Sequence, residues 1–341
     1  MRRLMRWPIV LGGVVLLGFT ASVVLLRQNL TTSMILGEDP AVIDVASGTS
    51  LQGVAALLAE QGVLRHTRSF TLYGRFTGRA ARIQAGEYEI QPGTTPLGFL
   101  DQLVKGQVKL HALTVIEGWS LNDLLGALRR HPAVVQTIET ADPVTLAEML
   151  GLEVEHAEGQ FFPDTYRFPR DTSDLEILRQ ANDLLREHLD DAWETRRSGL
   201  PVDAAYDLLI LASIVERETA LGEETPLVAG VFVRRLEKQM RLQADPTVIY
   251  GLGQNFNGNL TRQHLETDTP YNTYTRLGLP PTPIGLPGEQ SLRAAANPDQ
   301  GTALYFVATG NDDGSHFFTS TLEEHNVAVA KYLTRLRTRK E

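Results

Sequence analysis

The chain has 341 residues, 43% hydrophobic and 21% charged, which is ample for one large domain or two ordinary ones. General disorder is excluded, because it needs low hydrophobicity with high net charge. The formal charge is −9, and Arg2, Arg3, Arg6 and Arg27 all lie at the start, so the body that follows is more acidic still. That argues against nucleic acid as a partner, since backbone binding needs clustered Lys and Arg. The absence of cysteine removes disulfides, thiolate metal sites and Cys nucleophiles together.

Residues 8–26 carry no charge and are rich in Val, Leu, Ile and Gly. At about 1.5 Å per residue the run spans roughly 28 Å, close to the hydrocarbon thickness of a bilayer. A cleaved signal peptide is the competing reading. The length of the run, and the lack of a small-x-small site at its end, favour an uncleaved anchor stopped by Arg27. The arginines before the span keep residues 1–7 cytoplasmic and place everything after it outside the cytoplasm.

Residues 27–40 read as a polar connector. A compact unit over 41–107 follows: a strand at Val42–Val45, a helix capped by Ser50 and ended by Gly62, a helix at Thr67–Phe76 and a strand at Gly86–Ile90. Pro92-Gly93 turns the chain into a short helix ending at Lys105-Gly106. The order strand–helix–helix–strand resembles the LysM module, a small glycan-binding fold, although the pattern alone fits an unspecialised small α+β unit. The larger part, 108–341, opens with an alternating strand from Val108 to Ile116. Ser120 and Asp123 form a capping-box pattern for a helix at Leu121–Arg130. Helices are expected at Ser173–Arg197, Asp203–Ala220 and Thr225–Gln239. From Gln243 to Pro298 the chain is rich in Gly, Pro, Asn and Thr and reads as an irregular region, the kind that lines sites on a rigid frame. Strands at Leu304–Ala308 and His316–Thr319 and a helix at Leu322–Arg337 complete an α+β fold.

Nucleotide and metal signals are poor. Gly251-Leu252-Gly253 lacks the third glycine and the strand–helix setting of a dinucleotide loop, and the eight histidines are scattered. No cofactor or metal is expected. The informative helix is Leu208–Glu218. At about 100° per residue from Leu208, Leu211 lies at about 300°, Ile214 at 240° and Val215 at 340°. Glu218 falls at about 280°, inside that stripe, while Glu216 and Arg217 fall off it. A carboxyl on a buried face has a raised pKa, the property a proton donor to a glycosidic oxygen needs at neutral pH. A glutamate at a helix end that reaches solvent or pairs with an arginine would show the same spacing.

The surrounding segments narrow the choice. LASIVERET, MRLQADPTVIYGLG, TPYNTYTRLGLPPTPIGLPG, LRAAANP, LYFVATG and HFFTSTLEEHN resemble, in order, the endolytic murein transglycosylase (YceG-like) family, as do EGQFFPDTYRF and GEYEIQPGTT upstream. The resemblance covers nearly the whole chain, including the anchor and the LysM-like unit. It implies a lytic transglycosylase that cleaves MurNAc-β-1,4-GlcNAc bonds inside nascent peptidoglycan strands, leaves 1,6-anhydro ends and terminates elongation. The family's catalytic acid, the second glutamate of the E-x-E-T run, matches Glu218. The implied setting is the inner (plasma) membrane, with the catalytic domain periplasmic and peptidoglycan synthases as candidate partners. Asp245, Tyr271, Asn272 and Tyr274 are candidates for holding sugar hydroxyl and acetamido groups, and Gln243, Asn297 and His316 are further ones. Asp245-Pro246 equally suits a turn or helix start, and Asn297-Pro298 a turn. The rival functions are a muramidase, in which water replaces the sugar's own O6, and a non-catalytic cell-wall scaffold.

Overall fold

The structure, a computed structural model, describes residues 7–338 and contains both helices and short strands. The arginines at 2, 3 and 6, on which the expected orientation rests, lie outside the described residues. The chain divides into two compact units.

The first unit holds the chain up to His111 together with Arg167–Asp171. Helix α1 (Trp7–Thr31) supplies one candidate membrane span, Leu11–Thr31, whose apolar side chains from Leu11 to Leu25 face outward while Leu30 is buried. The expected polar connector is not loose. α1 continues to Thr31, Met34 is buried in this unit's core, and its N–H donates to Thr94 O at 2.8 Å. The chain continues through β1 (Ala41–Val45), α2 (Leu51–Glu60), α3 (Thr67–Phe76), β2 (Gly86–Ile90) and α4 (Pro96–Lys105). β1 and β2 pair antiparallel, with Ile43 opposite Tyr88, and the Tyr88 ring meets Phe99 of α4 edge-on at 6.0 Å. Ser50 and Thr95 cap α2 and α4 through their hydroxyls, and Gly106 takes the left-handed conformation that ends α4.

The alternating run 108–116 forms a strand only at β3 (Leu110–Thr114). Its flanks make other bonds: Val108 N–H donates to Gly106 O, Val115 N–H to the distant Asp164 O, and Trp119 N–H to Ile116 O. β3 pairs with β5 (Thr165–Pro169), a strand that carried no clear sequence signal.

In the second unit, α5 (Leu121–Arg130) starts with the expected Ser120–Asp123 capping box. β4 (Val134–Val135) pairs in parallel with β6 (Thr172–Ser173), and α6 (Pro143–Leu150) lies between them in sequence. α7 (Asp174–Glu194), α8 (Ala205–Glu218) and α9 (Thr225–Glu237) build the core with α12 (Glu289–Ala296). Every residue from Leu208 to Val215 is buried, so α8 is a central helix enclosed on all sides. The stripe read from the sequence thus marks a direction, not the whole buried surface. The supposedly irregular region contains three short helices: α10 (Asp245–Leu252), α11 (Arg262–Glu266) and α12. β7 (Tyr305–Ala308) and β8 (His316–Thr319) form an antiparallel hairpin, and α13 (Leu322–Thr338) follows.

Candidate active site

α8 ends at Glu218, and Thr219 beyond it is extended. The Glu218 side chain enters a cavity of about 510 Å³ in the second unit, whose walls include Arg235, Gln243, Asp245, Tyr274, Tyr305 and His316. Among the described residues nothing hydrogen-bonds its carboxyl. Burial pushes the Glu218 pKa up to about 8; the Asp245 charge adds to the rise, and Arg235 opposes it. Its place in the last turn of a helix acts in the same sense, because the helix C-terminus carries partial negative charge.

Asp245 opens α10, as the helix-start reading allowed, and Oδ1 accepts from the Tyr274 hydroxyl at 2.5 Å. The carboxylate is solvent-exposed at the cavity mouth. Burial and this bond both raise the Tyr274 pKa, so the phenol keeps its proton. Gln243 sits beside it with φ of +52°, a conformation uncommon for a side chain with a Cβ, held by its N–H donating to Thr273 O at 3.1 Å.

Two members of the Tyr271–Tyr274 loop are scaffold. Asn272 is fully buried; its amide donates to His264 O, Leu265 O and Thr267 O, and its carbonyl oxygen accepts from Tyr274 N–H at 2.8 Å. Tyr271 shares a hydrogen bond with Thr282 Oγ1 at 2.8 Å and packs edge-on against Tyr250. Neither lines the cavity. Thr273 Oγ1 accepts from Ala244 N–H at 3.0 Å, which ties the loop to the start of α10 and aims Tyr274 at Asp245. His316 does line the cavity, but Nδ1 is bound to Glu224 Oε2 at 2.7 Å. Asn297 is elsewhere: it ends α12, and its amide donates to Thr195 O at 3.3 Å in a separate depression. The structure therefore gathers Glu218, Asp245, Gln243, Tyr274 and His316, and leaves Tyr271, Asn272 and Asn297 outside.

Three further residues matter. Arg235 is buried in the cavity wall and donates from Nε to Leu304 O and from Nη1 to Leu242 O, both at 2.7 Å. Its guanidinium lies 5.1 Å from the centre of the Tyr305 ring. The helical-face rule could have found it: from Val228 at 0°, Phe232 falls at about 40° and Arg235 at about 340°. Tyr305 needed knowledge of how β7 folds back, which no local pattern supplies. Glu158 is a second buried carboxyl, pushed to about 7 by burial. Unlike Glu218 it is satisfied, accepting from Leu121 N–H at 3.0 Å and the Tyr250 hydroxyl at 3.1 Å, and it closes the open N-terminus of α5. Glu216, two residues before Glu218, accepts from Gly288 N–H at 3.0 Å and is not a cavity residue. Among the described residues no group of three His, Asp or Glu side chains could hold a metal ion.

Residues 43–331 match the YceG-like family. The endolytic murein transglycosylase of Bacillus subtilis is 32% identical over 314 residues, which span 86% of this chain and 84% of that protein. The protein of the same name from Streptococcus pneumoniae D39 is 26% identical, with 85% of this chain covering 58% of its length. A crystal structure of a yceG-like protein from Listeria monocytogenes superposes with a TM-score of 0.52 at 27% identity, covering 85% of this chain and 99% of that one. The chain belongs to the YceG-like family.

Proposed function

We propose that this protein is an endolytic lytic transglycosylase of peptidoglycan, with Glu218 as its single acid–base group. The observation that carries the reading is an unpartnered carboxyl held protonated inside an open cavity. With a pKa of about 8, about nine-tenths of the Glu218 carboxyls keep their proton at pH 7. The name shared by the curated relatives, endolytic murein transglycosylase, supports the substrate class.

Glu218 gives its proton to the oxygen of a MurNAc–GlcNAc bond as the C1–O4 bond breaks. The substrate's own acetamido oxygen supports the anomeric carbon, a recognised exception to the two-carboxylate scheme. The Glu218 carboxylate then takes the proton of the muramoyl O6 hydroxyl while O6 bonds to C1. Glu218 is restored, no water is consumed, and the product carries a 1,6-anhydro end. Asp245 discourages early ionisation of Glu218, and its bond to Tyr274 fixes that ring at the cavity wall. Tyr305 and Tyr274 offer apolar faces with polar tips, suited to pyranose rings. We place the reaction outside the cytoplasm on nascent strands, with α1 as an uncleaved anchor and the first unit, read as LysM-like, contributing glycan affinity.

The test is mass spectrometry of muropeptides released by the purified protein in H₂¹⁸O. Anhydro products, lighter by one water and free of label, are expected. Labelled reducing ends would make the protein a hydrolase, and no release would make it a scaffold.

A further inference from the structure

Residues 61–86 contain five arginines (Arg65, Arg68, Arg75, Arg79 and Arg82) and no acidic residue, in a chain of formal charge −9. α3 runs through this stretch. At about 100° per residue, Phe70 and Gly74 share one face, and Leu72 and Phe76 the opposite one. The first pair is buried, with Gly74 so close to α2 that a Cβ would stand 2.2 Å from Leu51 Cδ2. The second pair is open, Leu72 60% and Phe76 92% exposed.

One exposed leucine is ordinary, but here a leucine and a phenylalanine one turn apart lie beside a candidate membrane span. Asn29 Nδ2 of α1 donates to Ser69 Oγ of α3 at 3.1 Å. An apolar groove runs between the two helices, walled by Phe19, Val23 and Leu26 on one side and Leu72, Tyr73 and Phe76 on the other. The α1 residues of that wall belong to the uncharged run 8–26, so α3 lies alongside the part of α1 that meets lipid.

We infer that α3 is an interfacial membrane helix, with Leu72 and Phe76 entering the acyl layer beside α1 and the flanking arginines resting on the phosphates of anionic phospholipid. Arg79 is partly engaged with Asp101 at 2.6 Å, so Arg65, Arg68, Arg75 and Arg82 carry most of the attraction. The charge pattern favours a lipid surface over a protein helix laid in the groove. An apolar helix would supply no anions to the arginines, whereas a headgroup plane supplies them on both sides of the apolar edge. The first unit is then held against the bilayer, not at the end of a free tether.

The inference rests on α1 being an anchor, and the experiment separates the two. Because the chain has no cysteine, Phe76→Cys and Glu60→Cys in the full-length protein each accept one environment-sensitive fluorophore. Both positions are exposed, so the core is untouched. The proteins are reconstituted in phosphatidylcholine vesicles with and without phosphatidylglycerol, carrying a nitroxide on the acyl chain. In the anionic vesicles the label at 76 shifts to the blue and is quenched, while the label at 60 reports water. Arg68→Gln, Arg75→Gln and Arg82→Gln each lower the embedded-to-exposed ratio at position 76 by about fivefold. A water-exposed label at 76 in anionic vesicles overturns the inference. So does protection that appears only when other membrane proteins are added. Release of the native protein from membranes by alkaline carbonate overturns the anchor and the inference together.

Discussion

Replacing Glu218 by glutamine removes the proton and the charge while keeping size and shape. The folded carboxyl titrates near 8 against an ordinary 4.5, so the folded state holds a proton that the unfolded chain has lost. A carboxyl raised in this way contributes fully to stability below pH about 4.5, and that contribution drains as pH rises toward about 8. Between pH 5 and pH 8 the wild type loses roughly 3 to 4 kcal/mol through this one group, because one extra bound proton costs the folded state about 1.36 kcal/mol for every tenfold fall in proton concentration. Glu218→Gln does not titrate, so its stability relative to wild type rises by that amount over the same window. In a unit of this size the change corresponds to roughly 10 °C in midpoint. The assay is paired: thermal unfolding of both full-length proteins in detergent from pH 5 to pH 8, and muropeptide release at each pH. Activity falls by about 10⁴-fold or more in the variant, because one group serves both proton transfers. A stability difference that stays flat with pH, or a Glu218→Gln protein that still releases muropeptides, refutes the assignment.

Wild-type activity declines on the alkaline side as Glu218 ionises near pH 8; Asp245→Asn removes the neighbouring charge and moves that limb to lower pH, measured as a pH–rate profile. Arg235→Met removes the opposing cation and moves the limb upward; it also strands the carbonyls of Leu242 and Leu304, lowering stability by about 2–4 kcal/mol in denaturant titration. Asn272→Ala leaves three carbonyls without a donor and costs about 2–4 kcal/mol, whereas Asn297→Ala leaves muropeptide release within about twofold of wild type. Glu216→Gln, which weakens one bond to Gly288 N–H, retains most of the activity that Glu218→Gln loses.

The helix starts at Ser50, Ser120 and Ser173 were legible to within a residue or so, whereas α6, capped by Asp142, and α11, capped by Thr261, showed no helix pattern in the sequence. Ser50, Thr95, Ser120 and Ser173 each accept from a backbone N–H in the first turn, an interaction local enough to be written in four residues. α8 has no side-chain cap on Ala204, and the sequence pattern starts it two residues early. α10, α11 and α12 are hidden for a different reason. At five to eight residues they are too short for an apolar period to show, and they sit among Gly and Pro residues that suggest loops. β3 is shorter than its pattern because alternation persists in sequence where the backbone groups bond elsewhere. Val108 N–H donates to Gly106 O and Trp119 N–H to Ile116 O nearby, Lys109 N–H to Glu87 O and Val115 N–H to Asp164 O at a distance.

The site divides along the same line. Glu218 could be found because a helix turns sequence spacing into direction, and Arg235 lies within reach of the same rule. Glu158 is more fully buried, yet a loop has no period from which its direction could be read. Burial alone also fails to separate the two carboxyls, since desolvation raises both. What separates them is the supply of donors: Leu121 N–H and the Tyr250 hydroxyl reach Glu158 from 37 and 92 residues away, and among the described residues none reaches Glu218. Such long-range pairings, like Tyr274 with Asp245 across 29 residues, exist only once the chain has folded. A carboxyl with donors is fixed as a support. One that is desolvated, next to a like charge and left without donors keeps its proton available for a ligand, and that difference assigns the chemistry to the end of α8.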